Sequence, residues 1–332
     1  MADRSTFWQP QRPTPDLLEA LTPWLQQAEP DQPDLAPLLI RQSAERPEHE
    51  FAALLGAGAR DRPDLLAMAE VPRSYPHPGW FMVHLWAAPG QQHGSLPAEA
   101  LERLLQTLPD PPVVLLASAT EDRWQADLYP AQGFEEQERM WTSTLDLQTL
   151  DPRRLEAQSR RAREAGLTTR PLREVADLND EDQQRRLYHL MVRLLADVPF
   201  SEPIKPWPFE VWRQRILLAD DFDPGGLYVL RTAQDEWAGV SELYRPVAGR
   251  PGTLHQGLTA VLPEWRGLGA AWLLKLEAAR GARARGFHFV QTRNHTGNAA
   301  ILSINERLGF VRGRAVIRFI RRHGGPAAHG AP

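Results

Sequence analysis

Hydrophobic residues recur along this chain in two rhythms. Leu17, Leu18, Leu21 and Leu25 repeat at helical spacing inside the proline-dense stretch Pro10–Pro37, which predicts short helices rather than disorder. Leu65–Val71 and Trp80–Trp86 read as strands, and Ala98–Leu108 reads as a helix. Pro111 and Pro112 then interrupt the chain ahead of Val113–Ala117, a continuous apolar run of the kind found in buried strands. Asp151–Gly166 breaks the rhythm. It is arginine-rich, carries few apolar residues and stops at a glycine, which predicts a connecting helix on the surface with no further role.

The second half alternates more plainly. Leu167–Leu172 predicts a strand, and Asp177–Ala196 and Phe209–Ala219 predict helices. Three consecutive strands are expected at Gly226–Thr232, Trp237–Arg245 and Leu254–Leu262. A helix at Gly269–Arg283, a strand at Phe287–Thr292, a helix at Asn298–Leu308 and a strand at Val311–Ile320 follow. Strand runs mixed with single helices imply an α+β (α/β) architecture, a sheet covered by helices. The tail Arg321–Pro332, rich in Gly, Pro and Ala, is expected to be disordered.

Composition narrows the class. At roughly 100–200 residues per domain, 332 residues suggest two domains. An apolar fraction of 42% is too high for a disordered chain, and no apolar run approaches the ~18 residues that span a bilayer. The opening Met1-Ala2-Asp3-Arg4 has no signal pattern, so a cytoplasmic location is expected. The absence of cysteine excludes disulfides, thiolate metal ligands and catalysis through a cysteine thioester. A net charge of -4 argues against nucleic acid as a partner. No pair of histidines with acidic partners stands at metal-ligand spacing, so no metal is assigned. Of the 38 basic residues only Lys205 and Lys275 are lysines, a skew that points to genome composition rather than function.

The segment Thr259–Ala271 carries the chemistry. A strand ends at Pro263, a glycine-rich turn follows, and a helix begins near Gly269. Such an arrangement aims unpaired backbone N–H groups at one point, where the helix dipole also favours an anion. Glycines at 267 and 269 let an anion approach the backbone, and Arg266 could add a charge-assisted contact. The dipole alone is worth only ~0.3–1 kcal/mol, so directed hydrogen bonds must supply most of the affinity. Taken by itself the same sequence also suits a tight loop into an ordinary helix. A second motif lies downstream: Asn298–Leu308 forms an amphipathic helix closed by Gly309-Phe310 and a strand.

With that pair, the region from about 166 to 320 resembles the GNAT superfamily of acyl-CoA-dependent N-acyltransferases. Arg266-x-x-Gly269-x-Ala271 is similar to the family's Gln/Arg-x-x-Gly-x-Gly/Ala motif, with Val261-x-Pro263 before it and Leu308-Gly309-Phe310 after it. The resemblance implies a mixed, mostly antiparallel sheet flanked by helices and acetyl-CoA as co-substrate. It implies pantetheine bonded near Val261 in a gap between splayed strands. Pyrophosphate would lie on the N–H groups of Gly267, Leu268, Gly269, Ala270 and Ala271, with Arg266 and Asn298 as further cofactor contacts. Acetyl transfer would go directly to the amine of a small molecule. One departure stands out: where many members carry a tyrosine as general acid, position 305 is asparagine. Asn305 can donate a hydrogen bond but cannot give up a proton. Glu242 and His255, on strands leading to the gap, are both candidates for the general base, and both also suit a solvated sheet surface. Trp207 and Phe209, in a proline-rich loop with Phe200, fit the acceptor side in such a fold or equally a plug for the core. Gly269→Glu is expected to weaken coenzyme A binding while leaving the chain folded.

The first half reads as a worn copy of the second. Pro89–Phe134 parallels Pro263–Phe310, and Tyr129 occupies the position of the family's acid. The corresponding loop Pro89–Pro97 lacks the arginine, and Leu96 and Pro97 stand where small residues and free N–H groups are wanted. A structural half is favoured over a second catalytic site. The expected division is therefore 1–150, a degenerate GNAT-like domain; 151–165, a connecting helix; 166–320, the catalytic domain; and 321–332, a tail. The two-domain arrangement is distantly similar to that of mycothiol synthases. A non-catalytic acyl-CoA-binding module with a regulatory role is the competing reading, favoured by Asn305. Expected partners are a small-molecule amine, no nucleic acid and no membrane; monomer and homodimer stay open.

Overall fold

The structure, a computed structural model, describes residues 6–30, 33–46, 50–72, 79–109, 112–198, 206–247 and 249–322. Along the chain run α1 (Pro15–Ala28), α2 (Leu35–Ala44), β1 (Ala52–Gly58), β2 (Pro63–Glu70), β3 (Trp80–Ala87), α3 (Leu96–Leu105), β4 (Val114–Thr120), α4 (Trp124–Ala131) and β5 (Glu135–Asp146). There follow α5 (Pro152–Glu164), β6 (Thr168–Pro171), α6 (Glu181–Leu195), the short α7 (Phe209–Trp212), β7 (Leu227–Arg231), β8 (Trp237–Glu242), β9 (Arg245–Pro246), β10 (Thr253–Gln256), β11 (Thr259–Val261), α8 (Ala270–Ala284), β12 (Phe289–His295), α9 (Ala299–Leu308) and β13 (Val311–Arg322). Among the described residues no helix is long and apolar enough to cross a membrane. The tail expected to be disordered lies, from residue 323 on, outside the described residues.

The chain divides into two compact units, Met1–Arg139 with Arg314–Pro332, and Met140–Gly313. This differs from a boundary near 150, and hydrogen bonding explains why. β4 takes β13 as its antiparallel neighbour through Val316–Arg322, whereas β5 pairs through Met140–Asp146 with β12. β5 and β13 both alternate along much of their length and either would suit such a neighbour, so local sequence does not encode the choice.

In the first unit the strand order is β1-β2-β3-β4-β13, antiparallel except for the β3–β4 pair. One face packs Leu101 and Leu104 of α3 with Leu65, Leu115, Tyr129 and Phe319, and the other packs α1 and α2 through Leu21, Leu25 and Ile40. α1 starts as its sequence demands: Thr14 Oγ1 accepts from Leu17 N at 3.3 Å, and Pro15 takes the first turn where no N–H is needed. β1 carries too little alternation to be read from sequence, because all but its last residue are buried.

The second unit holds two strand groups, β5-β12-β10-β9 and β11-β8-β7-β6. α8 packs on them through Leu273, Leu274, Leu276 and Ala279, together with Leu254, Val261 and Val290. α6 and α7 cover β7 and β8 through Leu187, Leu190, Phe209 and Trp212. α5 corrects the expectation of a bland solvated helix. Its Ser159 and Ala162 are fully buried, and it runs against α8, held by Arg163–Glu277 at 2.8 Å and Arg280–Glu156 at 3.3 Å. Small residues three apart make the close approach possible, a cue masked by the surrounding charges.

Candidate functional site

The expected strand Leu254–Leu262 is two strands. β10 pairs in parallel with β12 from Thr253↔Phe289 to Gln256↔Thr292, while β11 pairs antiparallel with β8 from Thr259↔Ser241 to Val261↔Gly239. The chain changes sheet at Gly257-Leu258. β12 runs on past Thr292 to His295, paired with β5, so a split opens between β11 and the end of β12.

Polar groups hold the break open. Gly257 N donates to Glu242 O at 3.0 Å, Glu242 N to Leu258 O at 2.8 Å, and Leu258 N to the Glu242 carboxylate at 3.0 Å. Gln256 Nε2 reaches Ser241 Oγ (2.9 Å), Glu242 O (3.0 Å) and Thr259 Oγ1 (3.2 Å), and Lys275 Nζ donates to Gln256 Oε1 at 3.4 Å. Glycine at position 257 leaves room for the carboxylate: a Cβ there would stand 2.4 Å from Glu242 Oε2.

Beyond Val261 a single 3₁₀ turn, Pro263–Trp265, leads into Arg266-Gly267-Leu268-Gly269 and the start of α8. Gly267 and Gly269 adopt φ of 76° and 82°, in the left-handed region that β-carbon-bearing residues avoid. With Gly269 as N-cap, the first N–H groups of α8 have no partner within the helix and face outward. They open on a cleft of about 380 Å³ lined by Val261 and residues 266–272, by Gln158 and Arg161 of α5, and by Ile304 of α9. The space beside Gly267 is open, with nothing within 4 Å of a Cβ built there. At Gly269 such a Cβ would lie 2.1 Å from the Gln158 carbonyl oxygen. That corrects the expectation for Gly269→Glu: any side chain there displaces α5, so the substitution disturbs the fold as well as the anion site.

Seven of the eight residues expected to contact the cofactor therefore line one cleft: Val261, Arg266, Gly267, Leu268, Gly269, Ala270 and Ala271. Arg266 is already engaged, its Nε donating to Val261 O at 2.8 Å and its Nη2 to Asp197 at 2.7 Å, so it braces the loop. Asn298 caps α9, its Oδ1 accepting from Ile301 N at 3.3 Å, and is absent from the cleft lining. Asn305 is 2% exposed; its Nδ2 donates to Asn294 Oδ1 at 2.6 Å, and its own Oδ1 is buried without a hydrogen-bond partner. Gln158, Arg161, Trp272 and Ile304 went unread in the sequence. The last two continue helical faces already expected, whereas the α5 pair gave no local signal.

The two candidate bases differ in their surroundings. Burial pushes the Glu242 carboxyl above its usual range, against the opposing pull of the Leu258 N–H and the Arg245 guanidinium. Burial, with Arg293 and Arg245 beside it, holds His255 down to about 4. An imidazole whose conjugate acid is that strong is a weak base and a poor proton acceptor, so the surroundings favour Glu242. Phe209 packs into the core of α6 and α7, 5.5 Å from the Tyr188 ring. Trp207 leans on the same cluster and accepts the Tyr188 hydroxyl on its carbonyl at 2.7 Å. Phe200, the third aromatic of that loop, lies outside the described residues.

Tyr129 of the first unit is 1% exposed, between Phe134 and Phe319 at 5.3 and 5.5 Å, and burial pushes its hydroxyl above the usual phenolic range. α3 there begins at Leu96-Pro97, so one of the N–H groups an anion would need is missing.

No protein-family model matches the chain, and no curated protein does. Solved structures do. A GCN5-related N-acetyltransferase from Sphaerobacter thermophilus superposes with a TM-score of 0.69 at 18% identity over 95% of each chain. A tandem GNAT protein from the clavulanic acid biosynthesis pathway gives 0.64 at 18% identity, over 97% of this chain and 99% of that one. A glucosamine N-acetyltransferase region of a fungal multidomain GH3 β-N-acetylglucosaminidase gives 0.68 at 15% identity, over 96% of this chain and 38% of that one. At these identities the likeness is one of fold: the chain has the GNAT fold in its tandem form.

Proposed function

We propose that the protein is an acyl-CoA-dependent N-acyltransferase. In this reading the second unit moves the acetyl group of acetyl-CoA onto the amine of a small molecule, and the first unit is structural. The observation that carries it is the split between β11 and β12 lying next to a cleft whose wall is an uncapped helix N-terminus. Open space at Gly267 and a lining without acidic side chains among the described residues fit a pyrophosphate. Free N–H groups of α8 would bind that anion, and β11 would take the amide-bearing arm.

The reaction joins the amine nitrogen to the acetyl carbonyl carbon and releases coenzyme A as thiol. Glu242, its carboxylate held by the Leu258 N–H beside the break, would accept the ammonium proton before attack. Its raised pKa makes it a stronger base than an exposed carboxylate. Asn305 would orient through its hydrogen bond to Asn294, leaving the thiolate to take its proton from water or from the amine.

Thiol release from acetyl-CoA, measured across a panel of small amines, tests the reading. The rate is expected to fall as pH drops through the raised pKa of Glu242. Glu242→Gln should remove that dependence along with most of the rate, and Gly257→Ala, by displacing the carboxylate, should lower kcat with the fold intact. The competing reading, an acyl-CoA-binding regulatory module, is favoured by one observation, the amide at position 305. Binding of acetyl-CoA without turnover on any amine would establish that alternative.

A further inference from the structure

Three arginines of α5, Arg160, Arg161 and Arg163, lie within about one turn and differ in their surroundings. Arg160 faces Glu164 at 3.7 Å and Arg163 faces Glu277 at 2.8 Å. Arg161, between them, lines the cleft and is exposed, and among the described residues it makes no ion pair or side-chain hydrogen bond. The cleft's other arginine, Arg266, is neutralised by Asp197 at 2.7 Å, and among the described residues no Asp or Glu lines the cavity. Arg161 is thus the uncompensated charge of the lining. Beside it Gln158 also lines the cleft, and its side-chain Oε1 is buried and unpartnered. Rotation of that carboxamide would present N–H donors to an anion. The helix is fixed in place, since the Gln158 carbonyl lies against Gly269 and two ion pairs tie α5 to α8.

Resting on the acyl-CoA reading above, we infer that α5 is the second wall of the anion site and that Arg161 takes the pyrophosphate of the ligand opposite the N–H groups of α8. A diphosphate held from one side by backbone donors keeps oxygens free on the other, where a guanidinium can bind two of them at once. The helix that joins two elements in sequence then also sets affinity for the phosphorylated ligand.

Titration calorimetry on the full-length chain separates the outcomes, with coenzyme A, dephospho-coenzyme A and phosphate-free pantetheine as probes. Arg161→Gln is expected to weaken both nucleotide ligands roughly tenfold or more, to flatten the salt dependence of their binding, and to leave pantetheine unchanged. Arg160→Gln, on the outer face, should bind as wild type. Unchanged nucleotide affinity in Arg161→Gln overturns the inference. A loss for coenzyme A but not for its dephospho form places Arg161 on the 3′-phosphate, and an equal loss for pantetheine means a displaced helix; both also overturn it. Failure of the wild-type chain to bind any of the three sinks the acyl-CoA reading itself, a result distinct from these.

Discussion

Lys275 shows how one residue's behaviour departs from its type. It is 2% exposed, its ammonium meets the single amide oxygen of Gln256 at 3.4 Å and lies 5.3 Å from the centre of the Phe310 ring, and burial lowers its pKa to about 7. Folding therefore releases its proton between pH 7 and the unfolded value of 10.5, so stability rises with pH across that window and the burial penalty is full below it. Lys275→Met is expected to raise stability most at pH 6 and to flatten the slope above pH 7; denaturant melts at several pH values check this. Composition marks Lys275 as one of two lysines but not as buried, because burial depends on β10 and the turn after α9 meeting above α8. The same limit applies to the choice between Glu242 and His255, which burial decides by raising the carboxyl and lowering the imidazole, with Arg293 and Arg245 lowering the imidazole further from other strands. The cleft-lining residues 261 and 266–271 were legible because they are nearly contiguous around a glycine-rich turn into a helix.

Among elements, the break between β10 and β11 and the packing of α5 do the positioning. Neither is visible in the hydrophobic pattern. Alternation continues through Gly257-Leu258 as if the strand were unbroken, and the charges of α5 hide Ser159 and Ala162. Two substitutions at the start of α8 separate fold from chemistry. Gly269→Ala combines a left-handed φ with a 2.1 Å clash against Gln158 and is expected to lower the melting temperature as it weakens binding. Ala271→Glu adds a carboxylate in the first turn, where the helix dipole favours it, at a half-buried position that lines the cleft. It should leave thermal unfolding unchanged while weakening acetyl-CoA binding by about tenfold or more. Melting curves paired with titrations decide whether the two effects part in this way.

For the molecule as a whole, the repeated motif made the tandem form legible, while the closing strands did not follow the order of the sequence. β13 supplies Ile317 and Phe319 to the core of the first unit. Phe319→Ala, at 2% exposure, is expected to cost about 3–5 kcal/mol of that unit's stability, measured by denaturant unfolding. Tyr129 sealed in the core of the first unit, and Pro97 in the first turn of its loop helix, support the proposal that this unit is structural. The central claim is one acyl-CoA site per chain, in the cleft of the second unit. Calorimetric titration of acetyl-CoA into the full-length protein, repeated with Ala271→Glu, tests it most directly. One site per chain, lost or severely weakened in the variant, is the result predicted here; no binding, or two sites, or undiminished binding in Ala271→Glu, would contradict it.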